Sequence, residues 1–430
     1  MKTPPMIPSI HDLLVRARRT RHAAPKIKSI VALLVLAAAA LLSVVFLGPF
    51  QWSPASSSLF SGAGTGAACD LTRGQWVRDP GSRPHYTNAT CAFIEGYQNC
   101  MKHGKPSMEF LRWRWRPDDG CGDDLGRFDA ARFFSLVRGR SILFVGDSLA
   151  SSHVRSLVCT LSQVESPARS SSEGFEHWRF PAHRFVVAFF WTPFQVRWRL
   201  TRGPPAAVGP DRQGEVFAGP TDLHLDEPDE RWMPAAKDHD YVVLSASHWF
   251  ARPAVYYSGG RVVGCHGCGG GAPNATAALL KPEHAQRAAF RTVLRAMAGM
   301  EGFKGTAILR TVAPTHYENG GWFDGGECTA TEPVGVDEDL TEMAEPEAGF
   351  YRAQVEEFAA AEEAARRNGV RMRLMDVTKM MQRRPDGHPD RYGHGPGEHD
   401  GFDIDCLHWC LPGPIDVWNE LLLQILADDR

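Results

Sequence analysis

The run Ser141-Ile142-Leu143-Phe144-Val145-Gly146-Asp147-Ser148 decides how the rest of the chain is read. Ser141 to Gly146 is a short, nearly continuous apolar stretch, the pattern of a parallel strand buried on both faces. The period then changes. From Leu149 to about Ser162, Leu149, His153, Ser156, Leu157 and Thr160 fall on one side at helical spacing. A strand that turns straight into a helix places Asp147 and Ser148 at the carboxyl edge of a sheet, where open α/β folds bind ligands. Gly146 lets the backbone turn sharply. Ser148 sits where backbone N–H groups and the helix dipole can stabilise an oxyanion. The plainer reading of Ser148 is a helix N-cap.

Working outward, strands are expected at Phe185–Trp191, Tyr241–Ala246, Thr306–Val312 and Val370–Val377. Helices are expected from Lys281 to about Met300, with Pro282 in the first turn, and from about Pro346 to Asn368, closed by Gly369. A last amphipathic helix spans Ile415–Leu426. Alternating strands and helices predict an α/β fold with a sheet of mainly parallel strands flanked by helices. Upstream, Cys69 to about Gly139 is rich in Gly, Pro, Cys and Trp with little periodicity, and reads as an irregular, disulfide-held subregion.

A serine nucleophile needs a base, and an imidazole needs a carboxylate to orient it. Asp405-Cys406-Leu407-His408 supplies both, with a spacing that brings Asp405 and His408 to one side. The chain order Ser148, Asp405, His408 is one of the known orders of a Ser-His-Asp triad. A structural Asp–His pair is the alternative. His388, His394, His399, Asp400 and Asp403 cluster nearby in the sequence, but their spacing matches no standard ligand set, and no metal is expected.

The 430-residue chain carries a net charge of −3, with 43% hydrophobic and 23% charged residues. Those values exclude a disordered chain and a multi-span membrane protein, and a nucleic-acid partner is not expected. One apolar segment stands out. Ile30 to Leu47 is interrupted only by Ser43, and its 18 residues span about 27 Å as a helix. Seven basic residues and one acid precede it, so the N-terminus is expected to be cytosolic and the remainder lumenal. An uncleaved signal anchor is the reading; a cleaved signal peptide is the alternative, disfavoured by the long basic tail and the poor cleavage site at Gly48-Pro49-Phe50. The modest span suits the thinner membranes of the early secretory pathway. Residues 48–68, rich in Ser, Gly and Ala, read as a flexible stem.

All ten cysteines follow the apolar segment, which argues for disulfides in an oxidising compartment. Asn88 and Asn274 open glycosylation sequons. Cys265-His266-Gly267-Cys268 has no second ligand pair for zinc, and glycines follow it where a redox motif would open a helix. A local Cys265–Cys268 disulfide is expected.

These blocks resemble the plant trichome-birefringence-like family, polysaccharide O-acetyltransferases of the PC-esterase, SGNH-like class. The resemblance runs from Cys69 to Leu426. It rests on Cys69-Asp70-Leu71, Gly74-Gln75-Trp76-Val77, Trp113-Arg114-Trp115-Arg116-Pro117, Gly146-Asp147-Ser148 and Asp405-Cys406-Leu407-His408-Trp409-Cys410-Leu411-Pro412-Gly413. Leu244 to Phe250 and the Cys265–Cys268 motif are similar to the branch acting on xyloglucan and mannan. The resemblance implies a Golgi membrane enzyme of type II topology. Its parts would be a cytosolic tail (1–29), an anchor (30–47), a stem (48–68), the Cys/Trp-rich subregion (69–139) and a catalytic domain (140–430). Ser148 would form an acetyl-enzyme, His408 would act as base and Asp405 would orient it. Gly146, Asp147 and Ser152 would shape the nucleophile loop and oxyanion site. The implied disulfides are Cys69–Cys121, Cys91–Cys159, Cys100–Cys410 and Cys328–Cys406. No bound cofactor is implied; the co-substrates would be an acetyl donor such as acetyl-CoA and a neutral polysaccharide. One departure stands out: Ser151-Ser152 occupy the positions where most members carry Arg-Asn.

Twelve tryptophans suggest a sugar groove, since pyranose faces stack on indole. Trp191, Trp249, Trp322 and Trp409 lie near strand ends or motif loops and are the candidates, with a buried core position as the alternative for each. The same triad would serve an acetyl-esterase with water as acceptor. A non-catalytic wall-polysaccharide binding protein is a further alternative, as are mannan and xylan as acceptors.

Overall fold

The structure, a computed structural model, describes residues 70–118, 127–200, 220–268, 278–322, 325–335, 338, 340, 342–395 and 404–429. The expected tail, anchor and stem lie outside these residues, as do Cys69, Cys121 and Asn274. No helix among the described residues is long and apolar enough to cross a membrane.

In chain order the strands are β1 (Gly74–Arg78), β2 (Trp113–Pro117), β3 (Ser141–Gly146), β4 (Ala168–Ser172), β5 (Phe175–Phe180), β6 (Phe185–Trp191) and β7 (Val196–Leu200). They continue with β8 (Thr221–Pro228), β9 (Tyr241–Ser245), β10 (Ala254–Ser258), β11 (Arg261–His266), β12 (Thr306–Arg310) and β13 (Arg371–Met375). The longer helices are α1 (Ala130–Val137), α2 (Ser148–Ser162), α3 (Pro282–Ala298), α4 (Glu347–Arg367) and α5 (Val417–Asp428).

The central sheet has the order β13-β12-β9-β3-β6-β5-β4. β13 through β6 run parallel, while β5 and β4 are antiparallel additions. Alternation along β3 explains the layers. Ile142 and Phe144 enter the core under α2 and α5, while Leu143 and Val145 enter the opposite core under α3 and α4. Such a strand must be apolar at every position, which is why its sequence stands out.

The expectation of a mainly parallel sheet needs correction in two places. The edge hairpin β4–β5 is antiparallel, closed by Glu173 and Gly174 at φ of 52° and 82°. Those positive values make the two-residue turn that matches strand twist. A second sheet, β11-β10-β8-β7, contains one parallel pair and two antiparallel pairs.

Upstream of α1, the described residues form the two-stranded β1–β2 ladder and short 3-10 turns. Leu71, Trp76, Tyr86, Cys91 and Trp115 pack into the same core as α2 and α5. Disulfides Cys91–Cys159 and Cys100–Cys410 tie this segment to α2 and to the loop before α5.

Candidate active site

The parallel strand order reverses between β3 and β9, and such a switch point opens a crevice at the carboxyl edge. Gly146 ends β3 there. A Cβ at this position would lie 1.9 Å from the Ser245 carbonyl oxygen, so only glycine lets the strands close.

Asp147 follows, buried, and is the true N-cap of α2. Its Oδ1 accepts the N–H groups of Leu149 at 3.0 Å and Ala150 at 3.3 Å, and its Oδ2 accepts the Ser247 N–H at 3.1 Å. With the cap supplied by Asp147, the Ser148 hydroxyl is left for other work.

That hydroxyl lies 2.8 Å from His408 Nε2, and His408 Nδ1 lies 2.8 Å from Asp405 Oδ2. Asp405 Oδ1 accepts the N–H groups of Leu407 at 3.0 Å and His408 at 2.9 Å. A carboxylate only accepts, so Nδ1 carries the proton and the Nε2 lone pair faces serine. Burial works against charge on Asp405, but His408 and the two N–H donors outweigh it and hold the carboxyl below its ordinary pKa. Burial also works against charge on His408. Asp405, with a smaller contribution from Asp147, outweighs that and raises the imidazole pKa above its ordinary value.

The loop carrying Asp405 and His408 is clamped from several sides. Cys406 is bonded to Cys328 and Cys410 to Cys100. Asp390 and Asp405 exchange backbone hydrogen bonds at 2.9 and 3.0 Å, and the N–H of Cys410 reaches the Gly387 carbonyl at 3.0 Å. The disulfide Cys265–Cys268 is local, at the end of β11.

Ser152 lies one turn into α2. It donates to the Ser148 carbonyl at 2.9 Å and accepts from Gln98 Nε2 at 2.6 Å. These contacts tie Ser152 to the nucleophile turn. Gln98 went unnoticed in the sequence, as did Tyr97, whose ring packs edge-on against His408 at 4.8 Å. Behind the turn, buried Arg310 donates to the Leu149 carbonyl at 3.1 Å and to Ser245 Oγ at 2.9 Å. Burial lowers its pKa to about 10, against the pull of Asp147.

The tryptophans separate. Trp191 ends β6 opposite Gly146 and is half-buried; its ring meets that of half-buried Trp249 at 5.5 Å and 84°. Trp322 is half-buried 6.0 Å from the His408 ring. Trp409 is corrected: it is fully buried, its ring 4.0 Å from His388, and offers no face to a sugar. Asn88 is exposed in a turn. Among the described residues no three His, Cys, Asp or Glu side chains are grouped to hold a metal ion; His399, Asp400 and Asp403 lie outside them.

Comparison with known proteins agrees with this architecture. Residues 125–425 match PC-Esterase, the GDSL/SGNH-like acyl-esterase family found in Pmr5 and Cas1p, and residues 67–121 match the PMR5 N-terminal domain. Protein trichome birefringence-like 19 of Arabidopsis thaliana is 42% identical over 84% of this chain and 82% of its own length. Xyloglucan O-acetyltransferase 1 of Arabidopsis thaliana is 38% identical over 83% of this chain and 80% of its own. Xyloglucan O-acetyltransferase 4 of Populus trichocarpa is 39% identical over 83% and 81%. The chain belongs to the PC-esterase family, among its trichome-birefringence-like members.

Proposed function

We propose that this protein transfers acetyl groups to hydroxyls of a hemicellulose, xyloglucan first, through an acetyl ester on Ser148. The observation that carries the reading is the hydrogen-bonded series Asp405–His408–Ser148, each link 2.8 Å long, at the carboxyl edge of the sheet. Relatives named xyloglucan O-acetyltransferases support the acceptor class.

In the first half-reaction His408 Nε2 takes the Ser148 proton as Oγ attacks the acetyl carbonyl carbon of a donor such as acetyl-CoA. The positive end of α2 favours the developing oxyanion. Collapse expels the leaving group, which takes the proton from Nε2. In the second half-reaction Nε2 removes the proton of a sugar hydroxyl, whose oxygen attacks the acetyl carbon. The acetyl ester on the sugar forms, the bond to Oγ breaks, and the proton returns to Ser148. Asp405 keeps the imidazole in the tautomer both halves need. Trp191, Trp249 and Trp322 would bind the glycan. Residues 30–47 would anchor the enzyme in the Golgi membrane with this domain in the lumen.

The test is mass spectrometry of xyloglucan, mannan and xylan oligosaccharides incubated with acetyl donor and either wild-type or Ser148→Ala protein. Acetylated xyloglucan from wild type alone is expected. Equal product from both proteins would end the reading. The esterase-like family supports one rival, hydrolysis to water, which would release acetate whether or not sugar is present.

A further inference from the structure

Next to the His408 backbone, two imidazoles meet in a way that fixes their protons. His316 Nε2 is 3.0 Å from the Gln382 carbonyl oxygen, and His388 Nδ1 is 2.6 Å from the His408 carbonyl oxygen. A carbonyl only accepts, so each of these nitrogens carries a proton and donates it. The remaining nitrogens, His316 Nδ1 and His388 Nε2, face each other at 2.7 Å. In two neutral rings both would be lone pairs, repelling at hydrogen-bond distance. Turning either ring over would set a carbon against its carbonyl and give up that hydrogen bond, which a shared proton between the rings makes unnecessary.

We propose that His316 and His388 share one further proton as a single cationic N–H···N pair, which holds the His408 carbonyl and so positions the His408 imidazole. The proton comes from water, and no bond between heavy atoms changes. The positioning role rests on reading His408 as the base; the shared proton does not.

Burial holds both rings below their ordinary pKa, His388 well below, which excludes two charges and leaves one proton to be held by the close N···N contact itself. Burial lowers the proton affinity of each ring, and the charge of His316 lowers that of His388 further. A bridging proton differs from one on a lone ring because it satisfies two nitrogens at once. Glu347, Asp386 and Glu318 act on His316, and Asp405 on His388, in the sense that favours the cation. The opposing cation is Lys105, whose Nζ donates to the His388 carbonyl at 2.8 Å. Arg384 also binds Asp386, taking up part of that carboxylate. The Trp409 ring, 4.0 Å from His388 and 5.9 Å from His316, packs against both imidazoles. The same segment grips the loop elsewhere: the His316 backbone N–H donates to the Cys406 carbonyl at 3.1 Å.

Both His316 and His388 are positioning residues, with no contact to the reacting atoms. NMR of the full-length protein labelled with 15N-histidine reads the bridge on wild type, without any variant having to fold. At mildly acid pH one far-downfield proton coupled to nitrogens of two different rings is expected. It should vanish in His316→Phe and on raising the pH. Two neutral rings with no shared proton at mildly acid pH would overturn the proposal. For the positioning role, His388→Gln should lower kcat by about ten- to a hundredfold with the acceptor KM nearly unchanged. It should also abolish the alkaline fall in kcat that accompanies loss of the bridging proton. An unchanged kcat and pH profile would refute positioning. A visible bridge in a protein that transfers no acetyl group would instead count against the proposed reaction.

Discussion

Asp147 holds Ser247 across the switch point of the sheet, accepting its N–H at 3.1 Å with one carboxylate oxygen while the other caps α2. The nucleophile turn and the loop after β9 are therefore set by one side chain. Its negative charge also supports the imidazolium form of His408. Asp147→Asn keeps an acceptor for the cap but removes that charge. The acid limb of kcat/KM, which reports protonation of the base, should move to lower pH. A pH profile superimposable on wild type would show that the charge does not reach His408. Asp147→Ala should in addition cost about 1 kcal/mol or more, since two cap bonds are lost.

Asp405 matters through the tautomer it imposes. An amide at this position presents N–H to His408 Nδ1 in place of an acceptor, and the imidazole then turns its proton toward Ser148. Asp405→Asn should lower kcat by about 10^3 to 10^4 with little change in acceptor KM. Loss of only a few-fold would mean that Asp405 serves the loop alone, through the N–H groups of Leu407 and His408.

The Cys328–Cys406 bridge closes a loop of 78 residues next to the base. Replacing both cysteines with serine should lower stability by about 2–5 kcal/mol in denaturant titrations. Activity should fall more than the folded fraction does, because Cys406 lies between Asp405 and His408. If activity simply tracks the folded fraction, the bridge contributes stability without positioning.

Where a strand is buried on both faces, its sequence has no freedom, and β3 and β6 are legible residue by residue. β4 is the opposite case: Ala168–Ser172 is exposed throughout and has no apolar signature. Its only local signal is the Glu173-Gly174 turn. The second sheet was missed because β8, Thr-Asp-Leu-His-Leu-Asp-Glu-Pro, mixes acids with its apolar positions. In the site, Gly146-Asp147-Ser148 and the Asp405–His408 spacing are local patterns and can be read. Gln98 has no pattern of its own. It reaches Ser152 because Cys100 is bonded to Cys410 and because Leu411 donates to the Gln98 carbonyl at 2.8 Å. Trp409 sits in the motif that holds His408, yet its ring covers His388, a tertiary contact that no spacing announces.

Two carboxyls near the start of α5 give stability a pH dependence of definite sign. Asp416 accepts from Tyr86 Oη at 2.7 Å, from Ser156 Oγ at 2.5 Å and from the Gly413 N–H at 3.0 Å. Burial pushes its pKa up to about 6. Burial, and then the charge of Asp416, push Glu420 up to about 8, against a backbone hydrogen bond from Phe128 and the charges of Arg127 and Arg114. Each acid thus holds a proton in the folded state that it releases on unfolding. Their contribution is full below the unfolded values of 3.8 and 4.5, and is lost as pH rises through about 6 for Asp416 and about 8 for Glu420. Glu420→Gln mimics the protonated acid at every pH. Its advantage over wild type in thermal or denaturant unfolding should therefore be small near about pH 5 and widen toward about pH 8. A gap that stays constant across that range would mean that Glu420 ionises in the fold as freely as in the unfolded chain.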